Sequence, residues 1–160
     1  MAVEAGSVNF QQSARVIVFK DNQMLVMNRN KFGKMYRTLV GGGVEPGETP
    51  DKAAIRETLE ESSIVIRKPK KIFTETVPEY NVVQHIYICE YVSGEPSLHP
   101  ESEESESNLA GGNLYTPAWI KLDEIFKELD GLPFVTRRLL DEINFAFERD
   151  FRISPKEWTA

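Results

Sequence analysis

An α/β sandwich, rather than a regular parallel-sheet protein, is the fold class this sequence predicts. Three observations carry it: two short apolar strands meet at an early hairpin turn, a helix-initiating loop follows them, and longer strands then alternate with short helices. Residues 15–20 and 24–28 are the paired strands, with Asp21-Asn22 as the turn. Residues 29–37 form a basic, aromatic connector, and a short strand is expected over 36–40. Gly41-Gly42-Gly43 and Pro46-Gly47 mark a tight loop. Thr49 as N-cap, Pro50 at the first helical position and Asp51 at the positive end of the dipole announce a helix. Ala53, Ala54, Ile55 and Leu59 supply its helix formers and apolar side, and Ile55 and Leu59 are expected to anchor it in the core.

Two longer strands follow, over 71–76 and 82–92. Residues 95–112 are rich in Glu, Ser, Pro and Gly and read as a mobile surface loop. Another strand is expected over 115–121, a short helix over 122–129, and a second helix from Pro133-Phe134 through Phe147. No repeat or linker divides the 160 residues, so one domain is expected over 1–160.

Hydrophobic residues make up 41% and charged residues 28%, as in an ordinary globular protein. No apolar run approaches the ~20 residues of a membrane helix, so no membrane partner is expected. The N-terminal residues lack a basic-then-apolar signal pattern, which makes the cytoplasm the expected location. Cys89 is the only cysteine, so no intramolecular disulfide forms. In its alternating apolar surroundings it reads as a small buried hydrophobe. The net charge of −6 argues against nucleic-acid binding, which needs a basic face. Anionic substrates stay open, because a polyphosphate accompanied by metal ions can approach an acidic protein.

Glu57, Glu60 and Glu61 stand at i, i+3 and i+4, which on a helix places three carboxylates together. Like charges so arranged repel by a few tenths of a kcal/mol per pair. A hard divalent cation would offset that repulsion, and magnesium is commonly held by a few carboxylates plus substrate phosphates. Such an ion binds phosphoryl oxygens and lowers the pKa of a bound water. Three glutamates alone would read as a solvated acidic face; the residues around them change that reading.

Gly42, Glu48, Arg56, Glu57, Glu60, Glu61 and Ile64 resemble the Nudix box, G-x5-E-x7-R-E-U-x-E-E-x-G-U, where U is bulky and apolar. Thr58 stands in place of one apolar residue and Ser63 in place of the second glycine. If that position requires φ > 0, a serine costs on the order of 1 kcal/mol there. The resemblance implies a Nudix-type α/β/α sandwich with a mixed sheet. It also implies divalent-metal-dependent hydrolysis of a diphosphate linkage in a nucleoside diphosphate derivative: a nucleoside triphosphate, an ADP-ribose-like compound or a dinucleoside polyphosphate. It makes Glu57, Glu60, Glu61 and the Gly42 carbonyl ligands of Mg2+, with Mn2+ as a substitute. Arg56 would orient the glutamates, with Glu48 as its partner.

The general base is expected to be Glu57 or Glu61, with Glu104 the best candidate among the glutamates of 95–106. Family analogy makes Arg29 a phosphate contact and places Tyr80 where members cleaving diadenosine polyphosphates often carry a tyrosine; Arg37, from the same basic cluster, is a substrate-binding candidate beside its reading as solvated connector. Lys31 and Lys34 read as parts of a solvated connector. The partner is thus a small nucleotide or other diphosphate, and a homodimer is open by analogy. Two other functions share the fold. An isopentenyl-diphosphate-type isomerase needs an active-site cysteine, for which Cys89 is the sole candidate. A non-catalytic nucleotide-binding module usually loses box carboxylates, which are kept here. His85 reads as a strand residue and His99 as loop surface.

Overall fold

The computed structural model describes residues 10–128; the helix expected from Pro133 to Phe147 lies outside them. Seven strands are described: β1 (Gln11–Lys20), β2 (Gln23–Lys31), β3 (Lys34–Thr38), β4 (Val40–Gly43), β5 (Val65–Val77), β6 (Val82–Ser93) and β7 (Asn113–Lys121). Three α-helices accompany them, α1 (Pro50–Ser62), α2 (Glu103–Ala110) and α3 (Leu122–Glu128), with a 3-10 turn over Pro78–Tyr80 between β5 and β6. The strands run β3-β2-β1-β6-β5, with β4 added to β1 and β7 to β2. β1 and β6 are parallel over Gln11↔Val82 to Val18↔Cys89, and the other pairings are antiparallel. The sheet is therefore mixed, as expected.

Alternation along β1 divides the molecule. Ala14, Val16 and Val18 point into a core shared with Leu25, Met27, Val40, Ala53, Ala54, Ile64, Tyr87 and Cys89. Ser13 and Arg15 point the other way and line a cleft. Cys89 is buried, and the apolar surroundings push its thiol up to about 12. His85 is a β6 residue whose ring bridges Gln12 Oε1 and Lys71 Nζ, each at 2.7 Å.

Four expectations need correction. The connector at 29–37 is a hairpin, because β2 continues to Lys31 and β3 pairs back from Lys34, turning at Phe32-Gly33. The three glycines form strand β4, paired with β1 from Ser13↔Gly43 to Val16↔Val40, rather than a loop. A β-carbon on Gly41 would collide with the Ala14 carbonyl, so only glycine lets β4 approach so closely. The tight turn falls one step later, where Glu48 N–H donates to the Glu45 carbonyl and Gly47 takes φ +80°. Third, Ile55 and Leu59 stay at the surface, 37% and 47% exposed, while α1 buries Ala53, Ala54, Thr58, Glu61 and Ser62. Small residues on that face let α1 lie close to β4, β5 and β1. Fourth, the segment 95–112 contains α2, capped by Ser102, whose Oγ accepts from Ser105 N–H.

Within α1, Thr49 holds the N-cap position without a side-chain capping bond. The Asp51 carboxylate is held below its ordinary range, chiefly by a hydrogen bond with Thr49.

Candidate active site

A cleft of about 1040 Å³ opens on the face of β1 opposite its core residues Ala14, Val16 and Val18. Arg15, Arg29, Lys31, Lys34 and Arg37 line it, as do Gly41, Gly42, Gly43, Glu61 and Glu104. Tyr36, Tyr80 and Tyr115 add aromatic surface. The basic side chains come mostly from the β2–β3 hairpin and the carboxylates from α1 and α2, so the cleft has a cationic wall and an acidic end.

The acidic end is assembled by backbone approach. Glu61, 6% exposed, reaches the cleft beside β4, where its Oε1 accepts Gly41 N–H at 3.1 Å. Glu57 lies against Gly42 so closely that a β-carbon there would sit 2.5 Å from its Oε2. That contact gives the box's leading glycine a physical reason. Burial raises the Glu57 carboxyl above its ordinary range, against the pull of Arg56, and Glu104 adds to the rise. Burial likewise pushes Glu61 up to about 8; Arg15 and the Gly41 N–H oppose the shift, and Glu104 and Glu57 reinforce it.

Arg56 organises the other half of the box. Its Nε and Nη2 bind both oxygens of Glu48 at 2.8 and 2.9 Å, a bidentate pair. Nη1 donates to Glu57 Oε1 at 2.9 Å and to Glu60 Oε2 at 2.8 Å, and Nη2 also reaches the Gly43 carbonyl at 2.9 Å. The guanidinium holds the Glu48 carboxyl down to about 2 and is itself held more firmly protonated. Glu48, Arg56, Glu57 and Glu60 thus form one network, joined to the cleft through Gly42 and Gly43. Glu60 is the most exposed of the four.

Of the five glutamates in 95–106, Glu104 lines the cleft. It sits in the first turn of α2, which docks on β7 through Asn108, whose amide pairs with both the N–H and the carbonyl of Tyr115 at 2.7 Å. Arg29 lines the cleft too. Its Nε donates to the Leu114 carbonyl, its Nη2 to Asn113 Oδ1, and its guanidinium lies 3.6 Å from the Tyr115 ring centroid. Five N–H donors leave it further ones to offer. Arg37 Nε donates to Asn28 Oδ1 at 2.7 Å, and Tyr80 is 56% exposed at the cleft.

Sequence reasoning missed Arg15. It lies in the cleft and its Nη1 donates to the carbonyls of Leu39 and Gly41, 3.3 and 3.0 Å away, which ties β4 to β1. The available signal was a lone arginine within an apolar strand. Lys31 and Lys34, read as solvated connector, also line the cleft.

Among the described residues, no three His, Cys, Asp or Glu side chains already converge as a metal cage. Arg56 accounts for this in part, since it draws Glu57 and Glu60 toward itself. The residues nevertheless fit a hard divalent cation. The donors at the acidic end are all oxygens. Two of the carboxyls there, Glu57 and Glu61, have ionisation that is costly until positive charge is added.

Fold and cleft together describe an α/β sandwich with a carboxylate-bearing helix beside a glycine-rich strand of a mixed sheet. The sequence pattern of the NUDIX domain matches residues 9–143, and the chain belongs to the Nudix hydrolase family. A Bacillus subtilis (strain 168) protein named as an 8-oxo-dGTP diphosphatase is 31% identical over 86 residues, 54% of this chain and 57% of that protein. The NAD-capped RNA hydrolase NudC of Pectobacterium carotovorum is 26% identical over 128 residues, 79% of this chain and 44% of that protein. The chain therefore spans about half the length of these curated relatives. A solved NUDIX hydrolase from Nitrosomonas europaea shares the fold at a TM-score of 0.60 and 19% identity, covering 92% of this chain and 94% of that one. The solution structure of the E. coli ORF135 protein does so at 0.60 and 19%, covering 93% and 97%. Among the described residues, no helix is long and apolar enough to cross a membrane.

Proposed function

We propose that the chain hydrolyses a diphosphate linkage in a nucleoside diphosphate derivative, with a divalent cation, Mg2+ or Mn2+, at the acidic end of the cleft. One observation carries this reading. Glu61 and Glu104 share one cleft with a cationic wall, and the Glu57 carboxylate lies against Gly42 at its edge, which suits a cation-bound diphosphate with its remaining anionic oxygens on the arginines and lysines. Glu57, Glu60, Glu61 and the Gly42 carbonyl would hold the cation. When bound, it supplies an activated water and charge stabilisation for the leaving phosphate. Arg56 and Glu48 keep Glu57 and Glu60 oriented. Arg29 and Arg37 hold phosphoryl oxygens, and Tyr80 offers its ring to a base. Glu57 or Glu61 takes the proton of the attacking water, with Glu104 as the alternative from α2.

The relatives' names, an 8-oxo-dGTP diphosphatase and an NAD-capped RNA hydrolase, support a nucleotide on one side of the linkage. Isomerase chemistry is disfavoured, because Cys89 is buried in the α1-side core with its thiol pushed up to about 12.

Hydrolysis in 18O-labelled water tests the reading. Label should enter a phosphate product, and Glu57→Gln should lower kcat by ~10²–10⁴-fold with the fold intact. Full activity in that variant rejects the role given to Glu57.

A further inference from the structure

At the end of α1, where the box pattern has glycine, Ser63 takes φ 62° and ψ 16°. A side chain in this left-handed region costs on the order of 1 kcal/mol relative to glycine. Its hydroxyl donates to the Ser97 carbonyl at 2.7 Å and accepts from Ser97 Oγ at 3.0 Å. Backbone bonds run alongside: Ser97 N–H to the Ser62 carbonyl at 2.9 Å and His99 N–H to the Glu60 carbonyl at 3.0 Å. The segment after β6 thereby caps carbonyls that α1 leaves unpaired.

The chain of bonds does not stop at His99. Ser102 N–H and Oγ both donate to the His99 carbonyl, at 3.0 and 2.7 Å, and Ser102 Oγ in turn caps α2 by accepting Ser105 N–H at 3.1 Å. Glu104 stands in that capped turn and lines the cleft. The other end of α2 is anchored separately, through Asn108 to Tyr115 and Ser107 Oγ to the Asn113 carbonyl.

We propose that Ser63 is a positioning residue: its hydroxyl, paired with Ser97, fixes the segment that presents Glu104 to Glu57 and Glu61. The serine accepts a local backbone cost in exchange for placement of a distant carboxylate. This inference rests on the reading that Glu104 acts in the cleft.

Ser63→Gly separates placement from stability. Glycine relieves the left-handed conformation, so the variant should melt no lower than the parent. It keeps the backbone bonds and loses only the hydroxyl's two. Amide exchange over 97–106 should quicken in Ser63→Gly, while exchange in the body of α1 stays unchanged. kcat should fall by ~5- to 50-fold with KM held within about two-fold, the scale on which small misplacements act. In a Glu104→Gln background the same substitution should add nothing further to the loss. Parental exchange over 97–106 overturns the proposal, as does an undiminished Ser63→Gly effect in the Glu104→Gln protein. The exchange readout needs no turnover, so a failed hydrolase assignment and a failed positioning role remain distinguishable.

Discussion

Glu61 is 6% exposed at neutral pH in a place where its carboxylate is costly. Its pKa rises from 4.5 to about 8 on folding, chiefly through burial. Below about pH 4.5 the group is neutral in both states. As pH rises from there toward 8, folding must take up a proton, so the metal-free protein loses stability across that window. Glu61→Gln removes the cost. Measured with chelator at pH 8, its Tm should exceed the parent's by roughly 3 °C or more, while turnover disappears. An unchanged Tm at pH 8 would remove the electrostatic argument for a cation at this end of the cleft. Thr58 tests packing in the same helix. Its Oγ1 is buried and lacks a hydrogen-bond partner among the described residues. Thr58→Val restores the bulky apolar residue of the box pattern and should stabilise by about 1 kcal/mol in a denaturant titration.

Helix α1 shows which parts of an element can be read from sequence. Its start was legible because Pro50 and Asp51 have local physical jobs. Its glutamate spacing was legible because 3.6 residues per turn fixes neighbours. Its buried face was not. Ile55 and Leu59 form an apolar i,i+4 pair, yet close approach to β4 favours the smaller Ala53, Ala54 and Ser62. Truncating Ile55 or Leu59 to Ala should therefore cost less than about 0.5 kcal/mol, whereas Ala54→Leu should cost about 1–3 kcal/mol by overpacking. Thermal or denaturant unfolding decides between the faces. Helix α2 is hidden in the sequence for a related reason. Ser102 and Gly111 punctuate it in sequence, but its Glu-Ser composition resembles solvated loop, and what fixes it is tertiary: Asn108 pairing with Tyr115. Glu104 is legible as a candidate in that segment even so, and it lines the cleft. Arg15 was passed over because a strand's two faces are indistinguishable until its partners are known.

Across the whole molecule, β1 carries both halves of the design. One face of the strand supports the core beneath α1, and the other supplies Ser13 and Arg15 to the cleft. The acidic end meets the cationic β2–β3 hairpin there through the non-local pairing of β4 against β1, so their meeting is not readable from the box alone. The spacing of residues 42–64 pointed to the chemistry, while the cleft walls that choose a substrate come from the β2–β3 hairpin, Tyr80 and α2. The most direct test of the account is turnover of a panel of nucleoside triphosphates, ADP-ribose, dinucleoside polyphosphates and an NAD-capped oligonucleotide, measured against free Mg2+ concentration. The account predicts hydrolysis of at least one of them that rises with Mg2+ to saturation and vanishes with chelator. Equal turnover with and without chelator, or no turnover of any diphosphate at any Mg2+ or Mn2+ concentration, would contradict it.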